Sequence, residues 1–130
     1  MARQRLCWPL PEAVVVAWGV CVIYVAWQSL LPNPDVPFSF ENADKLLHLL
    51  AYFGLAFLPY AGFRDERQAR TAALCMIALG ALLEFGQGYI PERTTSLADM
   101  TANTCGVFLG IWAGRTLRRA VGFAPADDHP

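Results

Sequence analysis

Four long apolar segments follow one another along the chain and are separated by short polar stretches. They cover residues 13–31, 46–63, 71–90 and 97–113. Helices of about 17–20 residues, the length of these segments, cross a hydrocarbon core of ~30 Å. None of the four shows the polar face that a helix of a soluble bundle turns to water. The pattern therefore predicts an all-α fold, a membrane-embedded bundle of four transmembrane helices.

The polar stretches divide the chain into three parts. Residues 1–12 form a short N-terminal segment, residues 13–114 hold the four helices, and residues 115–130 form a basic and then disordered tail. No small-x-small cleavage site follows the first apolar segment, so we expect a retained helix rather than a secretory signal. In the second helix, Asp44 is the expected N-cap, and Pro59 predicts a kink or an early end.

The distribution of basic residues predicts the orientation of the bundle. If the N-terminus is cytoplasmic, eight arginines fall in cytoplasmic segments, and only Lys45 and Arg93 fall outside. Cytoplasmic loops carry an excess of Lys and Arg, so both termini are predicted to be cytoplasmic. The net charge of −1 follows this membrane pattern rather than a basic binding face, and nucleic-acid binding is not expected.

Polar side chains collect at three predicted helix ends that all lie on the outside. We call them the polar cluster, which consists of Asp44, Lys45, His48, Tyr52, Glu84, Gln87, Arg93, Asp99 and Asn103. Within each helix, the principal members are three or four residues apart and so share one face. Such groups cost several kcal/mol when they are buried in hydrocarbon without partners. We therefore expect them to pair with each other or with a bound ligand.

Most members of the polar cluster also have a purely structural interpretation. For Asp44, the structural interpretation is that it serves only as the N-cap of its helix. Ser96 and Asp99 fit a capping box, in which Asp99 bonds back to the Ser96 N–H. Gln87 and Asn103 fit hydrogen bonds between membrane helices. These alternatives remain open on the sequence.

Glu84 and His48 are the members for which a function is favoured. An acid within an apolar helix has no capping role there, so Glu84 should be paired, protonated or functional. Arg93 is its predicted partner, because a charge-assisted hydrogen bond offsets the burial. The structural alternative for His48 is an interfacial histidine without a partner.

Small residues recur at a fixed interval on the fourth predicted helix. Gly106, Gly110 and Gly114 are four residues apart, so they lie on one face. Small residues at this spacing allow the backbones of two membrane helices to approach closely. We expect this face to pack against another helix, and a second copy or a membrane partner is an alternative occupant.

The spacing of the polar residues resembles that of the VanZ-like family of small bacterial membrane proteins. The residues that carry the resemblance are Asp44-Lys45-x-x-His48-x-x-x-Tyr52, Glu84-x-x-Gln87 and Arg93-x-x-Ser96-x-x-Asp99-x-x-x-Asn103-x-x-Gly106-x-x-x-Gly110. Leu49 departs from the pattern, since an aromatic commonly follows the histidine. The resemblance implies a multi-pass protein of the bacterial cytoplasmic membrane. The founder of the family is linked to resistance against the lipoglycopeptide teicoplanin.

Three functions remain open on the sequence. In the favoured one, Lys45, Arg93 and His48 bind the headgroup of an anionic lipid or envelope precursor. In the second, the protein is a helper subunit of a membrane complex. In the third, His48 acts with Glu84 or Asp99 as an intramembrane acid–base pair or as ligands of a divalent metal, although no nucleophile or phosphate-loop motif is present. No cofactor or metal is expected, because the apolar segments hold one histidine and no metal-ligand spacing.

Overall fold

Four α-helices form along the four apolar segments. The computed structural model describes residues 11–32, 42–91 and 93–122, and no strand occurs among them. α1 spans Pro11–Ser29, α2 Ala43–Gly62, α3 Glu66–Gln87 and α4 Leu97–Ala120. The all-α prediction is confirmed, and α4 continues past residue 114 through the basic residues that the sequence pattern placed in the tail. The N-terminal residues 1–10 and the tail predicted to be disordered, residues 123–130, lie outside the described residues.

Three of the helices, α1, α2 and α3, are long and apolar enough to cross a membrane. The mean hydropathy of α4 is lower because that helix contains Asp99, Asn103 and three arginines. No residue of α1 is buried, and its Val16, Ile23 and Trp27 are 66%, 70% and 66% exposed. Apolar surface of this extent is suited to lipid rather than to water. The predicted helical membrane bundle is confirmed.

α2 is the central helix of the bundle and packs against the other three. It contributes Tyr52, Leu55, Ala56 and Tyr60 to the buried core. α3 adds the small side chains of two buried alanines and Met76, and α4 adds Val107. The polar cluster lies at one end of this arrangement, where the start of α2 meets the end of α3 and the start of α4.

The glycine face of α4 packs directly on the backbone of α2. A Cβ added at Gly110 would lie 2.5 Å from the Phe53 carbonyl oxygen, and one at Gly106 would clash with the Leu49 carbonyl. At Gly114 an added Cβ would lie 2.6 Å from the ring of Tyr60. The contacts advance along both helices in the same sense, so α2 and α4 run parallel. The glycines therefore serve close packing within the protein.

Pro59 does not end α2, which continues to Gly62. Proline has no N–H, so the carbonyl of Leu55, four residues earlier, loses its donor within the helix. The indole Nε1 of Trp18 in α1 donates to that carbonyl at 2.8 Å. α1 thus supplies the hydrogen bond that the proline removes, and the early end expected from Pro59 is wrong.

Candidate functional site

The start of α2 differs from the sequence prediction. α2 begins at Ala43, and its N-cap is Asn42, which has φ 64° and makes no side-chain capping hydrogen bond. Asp44 lies in the first turn, where an acid interacts favourably with the helix dipole. Its carboxylate pairs with the Lys45 ammonium at 3.2 Å. The assignment of Asp44 as the N-cap is therefore wrong.

Lys45 links the start of α2 to the start of α4. Its Nζ lies 3.2 Å from Asp44 Oδ2 and 4.0 Å from Asp99 Oδ1. Asp99 Oδ1 is buried and has no hydrogen-bond donor in the described part of the chain. A buried carboxylate oxygen without a donor is costly, so the nearby ammonium is its main compensation. Lys45 itself is 38% exposed and can also reach a ligand.

His48 is held by Asn103 across the same pair of helices. Its Nδ1 lies 3.0 Å from Asn103 Oδ1. Because an amide oxygen only accepts hydrogen bonds, Nδ1–H is the donor, and Nε2 of the neutral ring keeps its lone pair. Asn103 is buried. His48 therefore has a partner, and its interpretation as an unpartnered interfacial side chain is wrong.

Five members of the polar cluster form a group of two neighbouring contact sets on these two parallel helices, Asp44–Lys45–Asp99 and, one turn further along, His48–Asn103. We call it the α2–α4 group, and its members are Asp44, Lys45, His48, Asp99 and Asn103. Tyr52, one turn deeper than His48, is buried and packs over Gly80 of α3, where an added Cβ would lie 3.0 Å from the tyrosine ring. The remaining members lie on α3 and in the loop after it, and they bind backbone groups of other helices.

Glu84 caps the helix that follows its own. Its Oε1 accepts a hydrogen bond of 2.5 Å from the backbone N–H of Ser96, the N-cap residue of α4, and the side chain is 2% exposed. The Ser96 hydroxyl in turn accepts from the N–H of Asp99 at 3.2 Å. Of the two hydrogen bonds in the expected capping box, only the one from the Asp99 N–H to the Ser96 hydroxyl forms. The Ser96 N–H was predicted to bind the Asp99 carboxylate, but it binds Glu84 instead. Glu84 has a capping role after all, on a neighbouring helix.

We expect Glu84→Gln to keep the stability of the bundle and Glu84→Leu to lower it. The glutamine oxygen can still accept from Ser96, whereas leucine leaves that buried N–H without an acceptor, a loss of about 1–2 kcal/mol. Unfolding of both variants by SDS in mixed micelles measures the difference. Equal stability of the two variants would contradict the capping role of Glu84.

Gln87 and Arg93 hold the C-terminal end of α1. Gln87 Nε2 donates to the Ser29 carbonyl at 2.9 Å. Arg93 donates to the Leu31 carbonyl through Nε and Nη2, at 3.2 and 3.0 Å, and to the Gln28 carbonyl at 3.4 Å. The last carbonyls of a helix and those just beyond its end have no partners within it, so these two side chains satisfy them. The predicted Glu84–Arg93 pair is wrong, because each side chain binds a backbone group instead.

The opposite end of the bundle contains an interaction that the sequence analysis missed. Arg118 is 6% exposed and donates to the Tyr60 carbonyl at 2.7 Å and to the Phe63 carbonyl, the last acceptors of α2. Its guanidinium lies 5.8 Å from the centre of the Tyr60 ring. Arg118 continues the four-residue spacing of the glycines, and this spacing is the signal that could have placed it against α2.

No cluster of three or more His, Cys, Asp or Glu side chains in the described ranges could hold a metal ion. Cys21, Cys75 and Cys105 are free thiols. The chemistry of the α2–α4 group is therefore that of one ammonium, two carboxylates and an imidazole oriented by an amide.

Comparison with known proteins identifies the family. The VanZ/LLP1 family model matches residues 12–118, a range that includes nearly all of the four helices and every member of the polar cluster. Searches of curated proteins and of solved structures give no significant match. The match confirms the resemblance of the sequence to VanZ-like proteins. The chain belongs to the VanZ/LLP1 family.

Proposed function

We propose that this protein binds the headgroup of an anionic membrane lipid through its α2–α4 group. The observation that carries the proposal is the pairing of a partly exposed cation, Lys45, with a carboxylate oxygen of Asp99 that lacks a donor. Lys45 can bind a phosphate, and the carboxylates can accept from hydroxyl groups. A lipid-linked sugar of the cell envelope presents both kinds of group in one molecule.

His48 and Arg93 have different parts in this proposal. Asn103 fixes the His48 ring, so its second nitrogen, Nε2, can accept from a hydroxyl or, when the ring is protonated, donate to a phosphate. Arg93, the other cation expected to capture an anion, is engaged with the end of α1. Capture of the phosphate therefore rests on Lys45, and Arg93 stabilises the fold around it.

The proposed orientation places the α2–α4 group on the outer face of the bacterial cytoplasmic membrane. α4 packs along α2 in parallel and has 24 residues, so at ~1.5 Å per residue it is long enough to cross beside it. With four crossings both termini lie on the same side of the membrane, and the arginines near that side favour the cytoplasmic one. Retention of an envelope precursor on that face would alter sensitivity to lipoglycopeptide antibiotics, the phenotype that the family resemblance implies.

A helper subunit is the second candidate function. It is favoured by the hydrogen bonds of Glu84, Gln87 and Arg93, which hold neighbouring helices together and leave little of these side chains for a ligand. Because α2 covers the glycine face, a partner or second copy on α4 would use its opposite face, which exposes Phe108 and Trp112. The acid–base alternative has less support, since His48 bonds to Asn103 rather than to a carboxylate.

We expect Lys45→Met to weaken binding of a polyprenyl phosphate-linked sugar by about fivefold, since a cation near the membrane surface contributes about 1 kcal/mol. Native mass spectrometry of the detergent-purified protein, titrated with this lipid, measures the affinity. Thr101→Met is the matched control, because Thr101 is exposed near the same end and its hydroxyl bonds to its own helix. Equal affinities of the wild type and the Lys45 variant would exclude the α2–α4 group as the phosphate site.

A further inference from the structure

At the end of the bundle opposite the polar cluster, every described basic residue is an arginine. We call it the arginine end. Its basic residues are Arg64, Arg67, Arg70, Arg115, Arg118 and Arg119, and its acids are Asp65 and Glu66. The hydrogen bonds of Arg115 to Glu66 and of Arg118 to Phe63 bring the last two turns of α4 to the α2–α3 turn. All eight charges therefore belong to one face of the molecule.

The two acids of the arginine end are already engaged. Glu66 pairs with Arg115 at 2.9 Å, and Asp65 caps α3 by accepting from the Arg67 backbone N–H at 2.8 Å. Arg118 is buried against the end of α2. The four other guanidinium groups are exposed and make no ion pair with a described residue; they belong to Arg64, Arg67, Arg70 and Arg119. This face therefore presents uncompensated positive charge.

The hydroxyl of Tyr60 lies among these charges. It is buried and has no hydrogen-bond partner in the described ranges. The guanidinium of Arg118 lies 5.8 Å from the centre of the Tyr60 ring. A buried hydroxyl normally has a partner. The Tyr60 hydroxyl is therefore a donor that the described residues leave unused beneath this face.

We propose that the arginine end binds the phosphate of anionic phospholipids in the adjoining leaflet. Arginine presents a planar fork of N–H donors that fits two phosphate oxygens at once. Four to eight basic residues next to a membrane helix attract anionic lipid headgroups. The helices beside this face expose Leu74 and Trp112, against which acyl chains can lie. A lipid uses both surfaces, whereas a free phosphate ion uses only the charges.

This site does not depend on the proposed function of the α2–α4 group, which lies at the other end. The test is a titration of the purified full-length protein with phosphatidylglycerol and with phosphatidylcholine, followed by native mass spectrometry. We expect phosphatidylglycerol to bind more tightly, and a triple variant, Arg64→Gln, Arg67→Gln and Arg70→Gln, to reduce that affinity at least about tenfold. Binding of phosphatidylcholine should stay the same in the triple variant.

The control is the double variant Gln68→Ala and Thr71→Ala, which changes exposed polar residues of the same face without removing charge. It should bind phosphatidylglycerol as the wild type does. The proposal is overturned if the two lipids bind equally well, if the triple variant keeps its affinity, or if the uncharged control loses as much. Complete displacement of phosphatidylglycerol by millimolar inorganic phosphate would identify a free-anion site and overturn the lipid assignment.

Discussion

We expect Gly110→Ala to destabilise the bundle by about 3 kcal/mol, because the added methyl group meets backbone atoms that cannot move aside. The Cβ would lie 2.5 Å from the Phe53 carbonyl oxygen and 2.9 Å from Ala56 Cβ. To admit it, α4 must move away from α2 along their whole length, with loss of contacts around buried Val107. Unfolding by SDS in mixed micelles measures the change.

Gly54→Ala is the matched control for this prediction. Gly54 lies on α2, and an added Cβ there meets no atom within 4 Å. Alanine has a higher helix propensity than glycine, by up to about 1 kcal/mol, so this variant should be neutral or slightly stabilising. The same substitution is thus expected to act with opposite sign at the two sites. A neutral Gly110→Ala would mean that α2 and α4 do not pack as closely as described.

The second large effect is expected for Arg118→Met, which should lower the free energy of unfolding by about 2–5 kcal/mol. Methionine fills a similar volume, but it leaves the carbonyls of Tyr60 and Phe63 without the donors that Arg118 supplies. Hydrogen bonds to a charged group contribute about 1.5–3 kcal/mol each. The measurement is again unfolding in mixed micelles, and hydrogen exchange should show the last turn of α2 opening first.

Arg119→Met tests whether this effect comes from position or from charge. Arg119 is the next residue, it is exposed, and its substitution removes the same positive charge. Its stability should stay within about 0.5 kcal/mol of the wild type, as for most surface substitutions. If both variants lose the same stability, the net charge of this end rather than the cap on α2 is responsible.

The helices were predictable because their signal lies in consecutive residues. Apolar segments of membrane-spanning length predict helices wherever they stand, since lipid leaves the backbone no other partners. The four-residue spacing of Gly106, Gly110 and Gly114 likewise predicted one packing face before the partner helix was known. Arg118 extends that same spacing, and it was missed because a basic residue at a helix end was interpreted only as a sign of orientation.

The pairing of the polar residues was only partly predictable. The sequence placed His48, Asp99 and Asn103 at one level of the membrane, and the structure pairs His48 with Asn103 and brings Asp99 near Lys45. From the sequence alone, Arg93 and Ser96 could not be distinguished as partners of Glu84. Charge complementarity favoured the arginine, but the first N–H groups of α4 have no acceptor within their own helix, and Glu84 lies nearest to one of them.

The sequence by itself determined the four helices, which it predicted to span the membrane, and a set of polar side chains that needed partners. Only the tertiary structure decided that many of those partners are backbone groups. Trp18 on Leu55, Glu84 on Ser96 and Arg93 on Leu31 all bind main-chain atoms in another helix or in the residues that flank one. Every residue carries the same carbonyl and nearly every one the same N–H, so the sequence does not show which backbone group a side chain will bind. Which of them a side chain meets depends on how the helices are placed against one another.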